Sequence, residues 1–351
     1  MTDINSYTLI EDASILTALK QLNETATQIL FIINEKEQAI GTVTDGDIRR
    51  ALIGGASLET RVGDICLRSF EAFHETNYNL DDLARIRRKQ IRVIPILDAH
   101  GKIQRIVNLE KIKSILPIDA VIMAGGRGER LRPLTDTKPK PLLPLGNKVI
   151  MEYNVDNIVS MGIDNITVCI RYLGEQIKDF FGDGADRGIR MHYVTEDKPL
   201  GTLGAVTLIE HFEHDVVLVM NSDLFTDIDL EEFYLHFIQS GSDMSVAATP
   251  YNISVPYAVM KTDKDCVTSF EEKPTYTYYS NAGIYLIRRS LLETLTKDER
   301  CDTTDLMDRL LATGGKLTYF PIVGYWLDIG TPEEYRKARE IISYIKPDKI
   351  H

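Results

Sequence analysis

The chain has 351 residues, room for two domains at the usual ~100–200 residues each. A hydrophobic fraction of 44% and a charged fraction of 26% exclude a disordered or collagen-like chain. A formal charge of −12 argues against nucleic acid or an anionic membrane as partner.

No run approaches the roughly 18 apolar residues of a membrane span. The first ten residues lack a basic stretch followed by an apolar one, so no signal peptide is expected. Cys66, Cys169, Cys266 and Cys301 show no CxxC spacing. They are expected to be buried or partly buried thiols of a cytoplasmic protein.

The first 116 residues read as two copies of one unit. Helical spacing over 14–23 precedes an apolar strand over 29–33, a turn over 34–38, then strand and helix over 39–52. A second helical segment over 80–89 precedes a strand over 91–96, a turn over 98–101, then strand and helix over 103–116. Neither copy can bury its own faces, so the two are expected to share a core. The first copy carries Gly41, Thr44 and Asp47 in a Gly-x-x-Thr-x-x-Asp run; the second has Arg105, Asn108 and Lys111 there. The segment resembles a tandem CBS pair. The resemblance implies that the Thr44 hydroxyl and Asp47 carboxylate hold a nucleotide ribose, with the second site degraded. A nucleotide or nucleotide-sugar effector is one expectation; a pair that only packs or forms a homo-oligomer is the other.

A boundary at Leu116 and Pro117 divides 1–116 from 117–351. An apolar run over 120–123 reads as a buried parallel strand. It leads into Ala124, Gly125, Gly126, Arg127 and Gly128, a turn whose backbone N–H groups can approach a phosphate chain closely. Between Arg127 and Lys140 five cations, Arg127, Arg130, Arg132, Lys138 and Lys140, face only Glu129 and Asp136. A local cationic loop in an acidic protein suits a phosphorylated small molecule. The loop lacks the Gly-Lys-Ser/Thr of a P-loop, and Leu131 stands where a dinucleotide fingerprint needs a small residue. Pro139, Pro141 and Pro144 are expected to hold the following segment extended and present Lys140 on a stiff arm.

Residues 124–144 resemble the signature of sugar-1-phosphate nucleotidyltransferases, nearest to their guanylyltransferase branch. Further motifs extend the resemblance from 118 to about 340. Beyond the loop, helical spacing over 150–161 stops at Gly162, followed by strands over 164–170 and 190–194 with a helix over 176–181 between them. A turn at Gly201 and Gly204 enters another helix, and an apolar strand over 215–223 ends at Asp223. Alternating strands and helices predict a doubly wound, Rossmann-like α/β sheet with ligands at the strand carboxyl ends. The strand-rich part after 243 is expected to be a mixed extension covering the sugar.

The resemblance implies nucleotidyl transfer. A sugar-1-phosphate would attack the α-phosphorus of a nucleoside triphosphate, releasing pyrophosphate. A phosphate monoester has a second pKa near ~6, so no general base is needed at pH 7. The resemblance assigns Arg130 and the 124–128 loop to the triphosphate, Lys140 to the α-phosphate, and Asp223 with Asp328 to one Mg²⁺. Lys273 would pair the sugar phosphate, and Glu196, Glu272, Asn281 and Gly283 would meet the sugar. Gly201 would let backbone reach the base. Thr331, rather than Asp328, is expected to cap the helix that starts at Pro332. Glu129, Val149 and Leu203 depart from the family's usual residues. The CBS-fused arrangement resembles guanylyltransferases of nonulosonic (legionaminic) acid routes, implying GTP and glucosamine-1-phosphate. Mannose-1-phosphate, heptose-1-phosphate and a catalytically inactive nucleotide sensor are the alternatives.

Overall fold

The computed structural model describes residues 4–24, 29–74, 80–110 and 112–344. The chain divides into two compact units, Met1–Leu116 with the short pieces Ser160–Gly162 and Ala185–Gly188, and the remainder.

In the first unit, β1 (Thr8–Ile10) runs parallel to β2 (Ile29–Ile33), which pairs antiparallel with β3 (Ala39–Thr44). β4 (Phe73–His74), β5 (Val93–Leu97) and β6 (Ile103–Asn108) repeat that topology. Both antiparallel ladders shift register at the same step, between Ile32 and Ile33 and between Ile96 and Leu97. The shared register sets Gly41 against Arg105, and Thr44 against Asn108, as equivalent positions. Lys111 lies outside the described residues. The two turns bond to each other, Ala39 N donating to Gly101 O (2.9 Å) and Gln38 Nε2 to His100 O (2.8 Å). Tyr7, Phe31, Val93 and Ile106 form a cluster drawn from both copies. Burying such side chains typically contributes about 1.5–3 kcal/mol each, which neither copy could gain alone.

One expected element differs. The helix over 109–116 does not form among the described residues; only a turn follows Asn108, closed by Ile112 N on Asn108 O at 3.2 Å. Pro117 disfavours helical backbone at Leu116, and Ile115 and Leu116 are buried outside any helix.

The second unit is built on β7 (Ile118–Ala124), a hairpin of β8 (Pro144–Leu145) and β9 (Lys148–Val149), then β10 (Asn165–Ile170), β11 (Arg190–Thr195) and β12 (Val216–Asn221). After these come β13 (Leu224–Thr226), β14 (Met244–Ser254), β15 (Val259–Asp263), β16 (Cys266–Glu271), β17 (Thr275–Arg288), β18 (Leu317–Pro321) and β19 (Trp326–Asp328). The main sheet has the order β11-β10-β7-β12-β17-β14-β18. β7, β10, β11 and β12 are mutually parallel, while β17 runs antiparallel to β12. The sheet is therefore mixed, with a doubly wound parallel half. Every residue of β10 is buried, Asn165 and Thr167 included, as in a parallel strand covered on both faces. Strand order reverses between β7 and β12, so a crevice opens at their carboxyl ends.

The distal halves of β14 and β17 leave the core with the β15–β16 hairpin as an exposed arm. Cys266 lies on it and is exposed, unlike the expectation for all four thiols; Cys169 and Cys301 are buried and Cys66 is half-buried. Burial pushes the Cys169 thiol up to about 12. No described helix is long and apolar enough to cross a membrane.

Candidate active site

The glycine turn leaves β7 at Ala124, which is buried, and opens to solvent at Gly126. Gly128 adopts φ +62°, where a side chain would meet Thr135 and Lys140. Its carbonyl accepts from Thr135 Oγ1 at 2.8 Å, closing the loop on itself. Glu129–Leu131 then form a 3-10 turn that buries Leu131 and leaves Glu129 and Arg130 exposed. The proline segment is not extended throughout. Pro139 is, but Lys140–Leu142 form a second 3-10 turn, because Leu142 packs inward while Lys140 must turn toward the crevice.

Lys140 is 8% exposed, unusually deep for a lysine, and its Nζ donates to Asp223 Oδ2. Asp328 Oδ1 lies 3.7 Å from the same Nζ. Asp223 follows β12 in a tight turn and caps no helix. It meets Asp328 because β13 pairs antiparallel with β19, setting Leu224 opposite Asp328, with Ile329 N donating to Asp223 O at 3.0 Å. This short ladder is seated on a core of its own, with Phe225, Tyr153, Leu131, Leu143, Ile329 and Ile342 among its members. Thr331 Oγ1 accepts from Glu334 N at 3.3 Å, so Thr331 caps the final helix and Asp328 is left for the crevice.

Asp328 Oδ1 is buried without a hydrogen-bond partner. Burial, and then the neighbouring Asp223 charge, pushes the Asp328 carboxyl above its ordinary range, against the pull of Lys140 and Arg130. Two carboxylates sharing one ammonium, with a buried oxygen unpaired, are a donor set that fits a hard divalent cation. Arg130 approaches from the other side: its Nη2 lies 2.7 Å from where a Cβ on Gly330 would stand.

A second acidic group, Asp119, Glu213 and His214, also clusters within 4.8 Å. It sits at the amino ends of β7 and β12, a strand's length from the crevice. Its groups are committed: Asp119 accepts from Asn165 Nδ2 (2.8 Å) and His214 N (2.9 Å), and Glu213 pairs with Arg190. It reads as a clamp on the sheet.

Glu196 stands beside the glycine turn. It follows β11, is 7% exposed, and would collide through Oε1 with any side chain at Gly125. Leu200 N donates to its Oε2 at 3.1 Å, and burial pushes its carboxyl upward. Gly201, at φ +73°, leaves room for Asp302 and Cys301, a packing reason for glycine independent of any ligand. Gly204 packs likewise against Glu299 and Cys301. Gly283 adopts φ +74° and leaves room for the Asn221 amide at the tip of β12; Asn281 Oδ1 accepts from Gly283 N at 2.9 Å. Glu272 and Lys273 are exposed at the turn between β16 and β17, outside the Lys140 cluster described above. Lys273 holds φ +45°, a strained value of the kind that clusters at functional sites. In the first unit Thr44 and Asp47 do meet, but as a capping box: Thr44 Oγ1 donates to Asp47 Oδ2 at 2.6 Å, and Thr44 N to the same oxygen at 2.8 Å.

Sequence reasoning missed the residues that steady the glycine loop. Arg171 Nε donates to Gly125 O (3.3 Å), Tyr172 OH to Thr135 O (3.2 Å), and Gln176 Nε2 to Thr137 O (3.0 Å). Their signal was position: they directly follow β10, the parallel neighbour of β7.

Residues 119–343 match the nucleotidyl transferase family, and residues 1–54 match the CBS domain. The chain belongs to the nucleotidyl transferase family. Among relatives of this nucleotidyl transferase, the mannose-1-phosphate guanylyltransferase of Mycobacterium tuberculosis is 30% identical over 66% of this chain and 66% of its own length. The D-glycero-alpha-D-manno-heptose 1-phosphate guanylyltransferase of Aneurinibacillus thermoaerophilus is 29% identical over 65% of this chain and all of its own. The crystal structure of HddC from Yersinia pseudotuberculosis, 28% identical, aligns with a TM-score of 0.50 over 64% of this chain and 99% of its own. The aligned stretch spans slightly less than two thirds of the M. tuberculosis protein.

Proposed function

We propose that the protein transfers a nucleoside monophosphate from a nucleoside triphosphate to a sugar-1-phosphate and releases pyrophosphate. One observation carries the reading: Arg130, Lys140, Asp223 and Asp328, spread over nearly 200 residues, converge at the strand-order reversal between β7 and β12. A dead sensor has no physical need for this convergence.

An oxygen of the sugar phosphate, already ionised, attacks the α-phosphorus as the bond to the β-phosphate oxygen breaks. No proton needs to move. The glycine-turn N–H groups and Arg130 hold the triphosphate, and Lys140 reaches the α-phosphate. Lys273 on the arm pairs the incoming phosphate, while Glu272, Asn281 and Gly283 face the sugar. Asp223 and Asp328 would hold Mg²⁺, which supplies charge neutralisation between two polyanions. Positioning and charge compensation account for the catalysis.

The base is guanine. Glu196 lies beside Gly125 of the glycine turn, and an ionised carboxylate offers acceptors only. Guanine presents two adjacent donors, N1–H and N2–H₂, where thymine and uracil present one donor flanked by acceptors. The names of the guanylyltransferase relatives support the same base. For the sugar, glucosamine-1-phosphate is the reading from the CBS-fused arrangement, with mannose- and heptose-1-phosphate favoured by the relatives' names. The first unit is proposed as a CBS pair that binds a nucleotide effector, and the whole as a cytoplasmic enzyme. Pyrophosphate release with GTP, Mg²⁺ and a panel of sugar-1-phosphates tests this reading. Turnover with one of the three sugars is expected; none with any sugar phosphate and any nucleoside triphosphate overturns it.

A further inference from the structure

The crevice carries its own cation. Lys140 Nζ is bonded to Asp223 and lies 3.7 Å from Asp328, and its side chain is only 10% exposed. Arg130 lies over Gly330, where its charge also acts on Asp328. Glu334, which accepts from Gly330 N at 3.0 Å, adds a third carboxylate acting on Asp328, so the two cations offset most of the local negative charge. A divalent ion entering that arrangement alone would meet an ammonium already on its ligands, in a partly buried place where like charges repel strongly. A nucleoside triphosphate changes the balance, because its phosphates offer Lys140 and Arg130 new partners and free the carboxylates.

We propose that Lys140 is a resident stand-in for the metal, so that metal and nucleotide bind as a coupled pair and metal alone binds poorly. This rests on the reading of Asp223 and Asp328 as the metal carboxylates. The lysine has two positions with two partners, the carboxylates in the free protein and the α-phosphate in the complex. Each partner's arrival favours the other by the same factor, as linkage requires. Asp328 Oδ1 is the mark of the exchange: the one ammonium bonds Asp223 but reaches this buried oxygen only as a 3.7 Å ion pair with no hydrogen bond, leaving it for the ion. The device also keeps the crevice from filling with metal before substrate arrives.

The test is Mn²⁺ binding to the full-length protein, followed by electron paramagnetic resonance of the free ion and read without turnover. Wild type should bind Mn²⁺ at least about tenfold more tightly with α,β-methylene-GTP than without it, within the usual range of such couplings. Lys140→Met should bind Mn²⁺ alone about tenfold more tightly than wild type and gain less from the nucleotide. Lys140→Gln provides the same comparison if the methionine variant folds poorly. A folded Lys140 variant that binds Mn²⁺ alone no better than wild type overturns the proposal. Asp223→Asn in the Lys140→Met background separates the two ideas. Loss of Mn²⁺ binding there upholds the carboxylates as ligands whatever Lys140 does; undiminished binding contradicts the metal assignment and the inference with it.

Discussion

At the scale of single residues, charge decides the behaviour of the crevice. On the proposed reading, Lys140→Ala removes the cation at the α-phosphate and Asp223→Asn weakens the hold on Mg²⁺. Each is expected to lower kcat by on the order of 10²–10³ while circular dichroism stays native; rates near wild type in either variant refute the assignment. Asp328 has a pH signature. Its carboxyl is raised above 3.8, so the protonated form is favoured by folding. Its contribution to stability is present at low pH and is lost as pH rises from 3.8 through the folded value. Asp328→Asn is therefore expected to melt higher than wild type at neutral pH in a chelator, and to lose any melting increase on adding Mg²⁺; a lower melting point in chelator contradicts this. Glu196 is likewise raised by burial. As pH falls toward its folded value the carboxyl gains a proton and loses an acceptor, so KM for GTP is expected to rise at acid pH while kcat changes less. Glu196→Gln offers one donor and one acceptor. It should lower kcat/KM for GTP roughly 10–100-fold relative to a pyrimidine triphosphate, and an unchanged preference would remove Glu196 from base selection.

At the scale of elements, the three-residue pairing of β13 with β19 is what turns two distant carboxylates into one site. Phe225 anchors it, fully buried between Tyr153 at 5.4 Å and Tyr325 at 4.9 Å between ring centroids. Phe225→Ala is expected to cost about 3–5 kcal/mol of stability by denaturant titration and to weaken metal binding with it; a neutral substitution would show that the ladder stands without its anchor. The sequence foretold most of what is local here. The apolar runs of β7 and β12 are legible because both faces of a parallel strand are buried, and Gly128 and Gly162 mark turns by their backbone needs. The pairing of Leu224 with Asp328 spans about a hundred residues, and no local pattern encodes that register. The helix expected at the end of 103–116 and not formed among the described residues is the opposite failure: its apolar spacing fits a helix, but Pro117 and the burial of Ile115 keep the chain out of one. The approach of Glu196 to Gly125 is a contact between the ends of β11 and β7, two strands apart in the sheet, and no local pattern encodes it either.

At the scale of the whole molecule, two units of different build share one chain, and the smaller contains the repeat. Matching register slips in its two ladders make Thr44 the equivalent of Asn108, which has no hydroxyl, so the Thr44–Asp47 pair belongs to one half of the repeat. Thr44 and Asp47 bond to each other, so a ribose would have to replace a helix cap typically worth about 1 kcal/mol. Calorimetry on the full chain should show nucleotide or nucleotide-sugar heat that Asp47→Ala removes while leaving basal turnover intact; identical heats would dismiss the site. The central claim concerns the larger unit, and a crystal grown with α,β-methylene-GTP, Mn²⁺ and a sugar-1-phosphate tests it most directly. The account predicts an anomalous manganese peak held by Asp223 and Asp328, with Lys140 moved onto the α-phosphate and the guanine against Glu196. A manganese peak elsewhere, or a nucleotide bound away from Arg130 and Lys140, would contradict it.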